Sequence, residues 1–118
     1  MIDPKLVDQL ERDLLEDLED DWVSMSAMVW SAQHVLHLTD HAEIEAVIIA
    51  TLARLVDDPD VMVVDGGMGR SFGSASELVE HIEREWPRGG ELPVAGEVAW
   101  LVERDFELRQ RGTGPDSD

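Results

Sequence analysis

Residues 61–72 read VMVVDGGMGRSF and decide the fold. Val61 to Val64 form a largely β-branched run, which favours a short strand, and Asp65-Gly66-Gly67 is typical of a tight turn. We expect Met68 to Phe72 to be the strand that returns from this turn. A hairpin at this point, between segments with helical periodicity, predicts a mixed α+β domain.

Three helices are predicted before the hairpin. The first spans about residues 4–19, because Asp3-Pro4 is a typical helix start and the leucines after it repeat every fourth residue. The second, at about 21–38, is apolar on nearly all sides and should be central. The third begins at Asp40, which forms the pattern of a capping box with Glu43, and ends at residues 57–59.

A fourth helix and a closing strand are predicted after the hairpin. Ser74 and Glu77 form a capping box, and the helix that follows ends at Trp86. The run 98–102 fits either a strand or a helix, and we interpret it as a strand because its large apolar residues alternate. Residues 109–118 lack core-forming side chains, so we expect a single domain at 1–108 and a flexible C-terminal tail at 109–118.

The order of three helices, a strand, a glycine-rich loop and a second strand resembles that of winged-helix domains. The resemblance covers about residues 4–102, with an extra helix inserted before the closing strand. More narrowly, Asp21-Trp22-Val23, Trp86 and the segment 96–101 are similar to a group of small acidic bacterial proteins. The resemblance implies an α+β, helix-dominated, winged-helix-like fold with four helices and a small antiparallel sheet. It implies no activity.

Charge excludes several classes of function. The 118 residues include 27 acidic and 9 basic side chains, for a net charge of −18, and no cysteine. Such a surface repels nucleic acid and anionic membranes, and no apolar run approaches the ~20 residues of a membrane span. The third helix carries Arg54 as its one Lys or Arg and the presumed wing offers only Arg70, so we predict no nucleic acid and no membrane partner. The N-terminal residues lack a signal-peptide pattern, which favours a cytoplasmic location.

Acidic residues are most concentrated near the first helix. Arg12 is the one basic residue between positions 8 and 21, and we expect it to pair with Asp8 or Glu16, whereas many of the acids face like charges one turn away. Either this is a solvated face that keeps the protein soluble, or it docks a cationic protein. The candidate partner-binding residues are Glu16, Asp17, Asp20 and Asp21.

Three patterns suggest chemistry but are incomplete. His34, His37 and His41 have metal-ligand spacing, yet the expected helix break at Thr39-Asp40 would separate them, so we predict no metal. The glycines of 65–73 lack the Gly-Lys-Ser/Thr of a phosphate loop, so we predict no cofactor. Ser31 and His34 lie three residues apart without identifiable oxyanion donors, so we predict that the protein is not an enzyme.

Large apolar side chains have two interpretations. Tryptophan is enriched both in cores and at interface hot spots, so an exposed one would mark a partner site. The same alternatives hold for Met25 and Met28, for which the core is favoured. We therefore predict a noncatalytic protein-interaction or regulatory module, of which an inhibitor or immunity-type protein is one form. The alternatives are a transcription-factor-like domain that binds DNA as an oligomer, and thirdly a small hydrolase or metal enzyme; homo-oligomerisation stays open. The tryptophans are Trp22, Trp30, Trp86 and Trp100.

Overall fold

The computed structural model describes residues 3–66, 71–87, 91–93 and 98–103. Four helices and a three-stranded antiparallel sheet make up these residues, which confirms the predicted helix-dominated α+β class. Among the described helices, none combines the length and the apolar character that a bilayer crossing needs. In chain order the elements are α1 (Pro4–Leu18), β1 (Val23–Ser24), α2 (Met25–His34), α3 (His41–Leu55), β2 (Val61–Asp65), α4 (Ala75–Glu85) and β3 (Ala99–Glu103).

The last described strand, β3, lies in the middle of the sheet. The strand order is β1-β3-β2, and Leu101 of β3 is opposite Val23 of β1 on one side and Val63 of β2 on the other. Three helices precede β2 as predicted, but the short strand β1 between the first two of them was not predicted, and the resemblance to winged-helix domains stays a prediction. Helix α4 occupies the predicted insertion before β3.

Residues 71–72, the described end of the expected return strand at 68–72, bond to β2 as predicted. Among the described residues of that stretch, Ser71 forms one isolated bridge with Val64, and the Phe72 N–H donates to the Val63 carbonyl at 3.0 Å. Residues 67–70, which include Arg70, lie outside the described residues. All five residues of β2 also pair with β3, which confirms the strand interpretation of 98–102 over the range 99–103.

Helix α2 begins four residues later than predicted. Val23 and Ser24 pair with β3, and the Ser24 hydroxyl then accepts a hydrogen bond from the Ala27 N–H at 3.2 Å as the N-cap. The helix also ends early, at His34, and the chain then adopts a left-handed conformation at His37, where φ is 61°. The predicted helix of 21–38 is thus a strand and a shorter helix.

The remaining helix starts follow their capping residues closely. Asp3 accepts from the Lys5 N–H at 2.9 Å at the start of α1. At α4, Ser74 accepts from the Glu77 N–H at 3.3 Å, while the Glu77 carboxylate accepts from the Gly73 N–H at 3.2 Å. Helix α3 starts after Asp40 as predicted, but the Asp40 side chain makes no capping hydrogen bond, so the expected capping box is wrong there.

The main core lies between the helices and one face of the sheet. Met25 and Met28 are fully buried in it, which confirms their core interpretation, and Trp86 is also buried. A smaller cluster on the other face of the sheet contains Met62, Val64 and Val102, with Trp100 packed against it. Residues 104–118 lie outside the described residues, so the boundary between domain and tail stays a prediction.

Candidate functional site

Four exposed carboxylates lie together where α1 ends. They are Glu16 and Asp17 in the last turn of the helix and Asp20 and Asp21 in the turn that follows, and we call them the acidic end of α1. The N–H groups of Asp20 and Asp21 both donate to the Asp17 carbonyl, at 3.0 and 3.2 Å, so this turn continues the path of the helix. In the described part of the chain, none of the four side chains makes an ion pair.

Neighbouring negative charges at the acidic end of α1 oppose the ionisation of Asp17. The pKa of Asp17 is raised above its usual value of 3.8, first by partial burial and then by the neighbouring charges of Asp13, Asp20 and Glu16. The last turn of α1 carries no basic residue, although the negative end of the helix dipole favours a cation there. A cationic group at this end would therefore relieve repulsion that no ion pair among residues 3–66, 71–87, 91–93 and 98–103 relieves.

Acidic residues in the first half of α1 are compensated from another helix. The Arg54 guanidinium of α3 binds Asp8 at 2.7 Å and Glu11 at 2.6 Å, and both contacts raise the pKa of Arg54. The expected pairing of Arg12 with Asp8 or Glu16 is wrong: no ion pair in the described residues joins Arg12 to either. Arg54, the cation that a DNA-reading third helix would need, is engaged by two carboxylates.

Trp22 directly follows the acidic end of α1. Its side chain is 39% exposed, and its ring meets the ring of Trp100 edge-on, with centroids 6.4 Å apart and planes at 84°. Trp100 is itself fixed, because its Nε1–H donates to the Gly66 carbonyl at 3.2 Å. An aromatic side chain with a large exposed surface is thus held against a half-buried partner and beside four carboxylates.

Trp30, on α2, is the most exposed large apolar side chain of the described residues, at 57%. Its indole stacks on the His34 ring, with centroids 4.5 Å apart and planes 18° apart. His34 Nδ1 also forms a hydrogen bond with the Trp30 carbonyl at 3.1 Å, which ties the imidazole to its own helix. The stack forms a fixed aromatic surface on the outside of the protein.

Histidines and serines that suggested chemistry are placed apart from one another. His34 stacks on Trp30, His37 follows α2, and His41 begins α3, and within the described residues no three His, Asp or Glu side chains could hold a metal ion. Ser31 is buried while His34 is exposed, so this pair is not assembled as a nucleophile and base. His81 packs on Phe72, and its Nε2 bonds the Val98 carbonyl at 2.8 Å, which joins α4 to the start of β3.

Sequence reasoning found the acidic end of α1 and left the exposed tryptophans unidentified. The buried Met25, Met28 and Val29 define the inner side of α2, which places Trp30 outside. Because the predicted helix is apolar on nearly all sides, its sequence does not indicate which side is buried. Comparison with models of known families, with curated proteins and with solved structures found no match to the chain.

Proposed function

We propose that this protein is a noncatalytic protein-interaction or regulatory module, and that the acidic end of α1 attracts a cationic surface of a partner protein. One observation carries the proposal: four exposed carboxylates, which form no ion pair with any residue that the structure describes, lie where the helix dipole and their mutual repulsion both oppose them. Solubility would be served equally well by scattered acids. Concentrated charge of one sign gives a directional field instead.

Attraction of this kind acts mainly on the rate of association. Neighbouring carboxylates one helical turn apart are ~6 Å from each other, less than the Debye length of ~8 Å at physiological salt, so a partner meets them as one source of potential. Charges at the rim of an interface change the association rate and its salt dependence more than they change the lifetime of the complex. Trp22, beside Asp21, would add the apolar contact that slows dissociation.

An inhibitor or immunity-type protein is one form that this function would take. Its acidic end would cover a cationic active site or a nucleic-acid-binding surface of the partner, and thereby exclude that partner's own anionic ligand. The proposal requires only that the partner presents basic side chains and that the complex forms faster at low salt.

The test is a kinetic comparison of two double variants that remove the same charge. A partner is first isolated from a lysate of the source organism on immobilised protein at low salt, and its binding is then followed by stopped-flow mixing over a range of salt concentrations. Asp17→Asn with Asp20→Asn should slow association several-fold at low salt and flatten its salt dependence. The matched control, Asp57→Asn with Asp60→Asn, removes two exposed charges near the opposite end of α1 and should change the rate little.

Equal rates for the two variants would refute the proposed role. The acidic end of α1 would then be a solvated face, and total charge alone would account for any salt dependence. Circular dichroism of both variants should match that of the unmodified protein, because all four side chains are exposed.

A further inference from the structure

One long segment of this highly charged chain carries no Asp, Glu, Lys or Arg. The segment comprises the eighteen residues from Trp22 to Thr39 and includes β1 and all of α2. Asp21 precedes it and Asp40 follows it. The interior of an interface is depleted of charged residues and enriched in aromatic ones, while its rim is polar. The charge pattern around α2 corresponds to this arrangement.

The outward side of α2 carries the most exposed aromatic group of the described residues. Ser26, Trp30 and His34 follow one another at four-residue intervals, with Gln33 beside them, and all four are at least partly exposed. We call these four residues the α2 outer face. His34 covers one side of the indole, so the exposed surface of Trp30 lies on its opposite side and its outer edge.

The α2 outer face and the acidic end of α1 are close enough to belong to one interface. Trp30 is eight positions along the chain from Trp22, three of them in an extended conformation and five in a helix, so the two Cα atoms are at most about 20 Å apart. A round patch of the usual ~800 Å² per partner is about 30 Å across. A partner of ordinary size that is drawn to the acidic end of α1 would therefore reach Trp30 as well.

We propose that the α2 outer face is the centre of the interface whose rim is the acidic end of α1, and that the uncovered side of Trp30 receives an arginine side chain of a basic partner protein. This inference rests on the proposed function and adds to it the site and the kind of contact that hold the partner after it has been attracted.

Arginine is the side chain that this surface fits best. The face of an indole carries negative electrostatic potential, so it attracts a cation, and the flat guanidinium stacks on it more often than an ammonium does. The chain supplies no cation of its own in this segment, and its net charge of −18 selects for a basic partner. A second copy of the chain would bring another −18 to the same surface, and an anionic membrane would be repelled.

The test measures the binding of two labelled peptides by fluorescence anisotropy at low salt. One peptide alternates arginine with glycine, and the other has lysine in place of each arginine. The protein should bind the arginine peptide more tightly, by up to about two- to fivefold, because the full energy of one exposed cation–π contact is the upper limit of the difference. Trp30→Leu, which keeps an apolar side chain but removes the aromatic face, should abolish this preference and weaken the arginine peptide more than the lysine peptide.

The charge variants separate this inference from the proposed function. Asp17→Asn with Asp20→Asn should lower the affinity for both peptides equally, and by more than the Asp57→Asn with Asp60→Asn control does. If only this result fails, the proposed function is contradicted and the arginine site is not. Equal affinities for the two peptides, or a preference that survives Trp30→Leu, would overturn the arginine site alone. If neither peptide binds, both the arginine site and the proposed function are overturned.

A second copy as the occupant is tested by sedimentation velocity over a range of protein concentrations. We expect a monomer, with the same sedimentation coefficient for the unmodified protein and for Trp30→Leu. A dimer that Trp30→Leu dissociates would assign the α2 outer face to self-association and would overturn the arginine site.

Discussion

Replacing Asp17 and Asp20 by asparagine should stabilise the folded protein while it slows binding. The double variant removes the repulsion of Asp17 by Asp13, Asp20 and Glu16, and each like-charge pair of this kind is worth about 0.2–0.5 kcal/mol. It also removes negative charge from the end of the helix dipole, where a single charge is worth about 0.3–1 kcal/mol. Asparagine and aspartate have similar helix propensities, so the expected net gain is about 1–2 kcal/mol.

Urea titration at neutral pH and low salt measures this gain as a higher midpoint without a change in slope. In thermal unfolding, each 1 kcal/mol should raise the Tm by roughly 3–6 °C for a chain of this size. At ~1 M salt the Debye length falls to ~3 Å, so most of the gain should disappear. A double variant that is no more stable than the unmodified protein at low salt would refute the claim that the acidic end of α1 is electrostatically unfavourable.

A second variant separates the placement of charge from its total. Gln9→Glu and Ser76→Glu, added to the asparagine double variant, restore the net charge of −18 at two exposed positions in the first halves of α1 and α4. Negative charge is better tolerated near helix N-termini, so the gain in stability should persist. Association should nevertheless stay slow. A return to the original association rate would show that total charge, and not the acidic end of α1, attracts the partner.

The stabilising effect of Asp17→Asn alone should shrink at acid pH. Because the Asp17 pKa is raised in the folded protein, the ionised carboxylate destabilises the fold above that pKa, and this penalty is gone once the pH is below 3.8. Urea midpoints across an acid pH series would measure the change. His37→Gly should raise the free energy of unfolding by about 0.5–1 kcal/mol, because an exposed side chain there adopts φ 61°; a lower urea midpoint would contradict this. Ser74→Ala should lower the free energy of unfolding by about 1 kcal/mol and Asp40→Ala by clearly less, because the Ser74 side chain makes a capping hydrogen bond and the Asp40 side chain does not. Equal losses of stability in thermal unfolding would contradict that account.

Elements specified by neighbouring residues could be predicted from the sequence. Leu10 and Leu14 lie one turn apart and are both fully buried, as the leucine repeat of the first helix indicated. Ser74 caps α4 three residues before Glu77, the spacing that the sequence displays. In both cases the deciding contacts join residues at most four positions apart, so the local pattern contains the information.

Pairings between distant residues could not be predicted in the same way. Val23 looked helical because its neighbours are apolar, but its pairing with Leu101 makes it part of a strand. Val61 to Asp65 were expected to pair with the next segment across a tight turn; Val64 does bridge Ser71 of that segment, but the pairing of all five residues with the distant β3 was not predicted. A helical or hairpin pattern involves residues that are close in sequence. The pairing of strands in this sheet depends instead on how well distant segments bury both of its faces.

The same limit applies to the candidate site. The acidic end of α1 is visible in the sequence because its residues are contiguous. Arg54 lies 46 and 43 positions from Asp8 and Glu11, so the sequence does not show that this arginine neutralises acids in the first half of α1. It likewise does not show that the acidic end of α1 forms no ion pair with the residues that the structure describes. The exposure of Trp30 depends on which side of α2 packs into the core, and contacts with distant elements select that side.

The cost of the acidic end of α1 is small beside what holds that helix in place. Four buried apolar side chains anchor α1, and each contributes about 1.5–3 kcal/mol on burial, whereas the concentrated acids cost about 1–2 kcal/mol in all. The fold therefore does not need these acids for its stability, and it is stable enough to tolerate them. Arg54 compensates the first half of the helix, whereas the acids that form no ion pair with the described residues lie beside Trp22 and the uncharged α2, and this placement supports the proposed association with a basic partner.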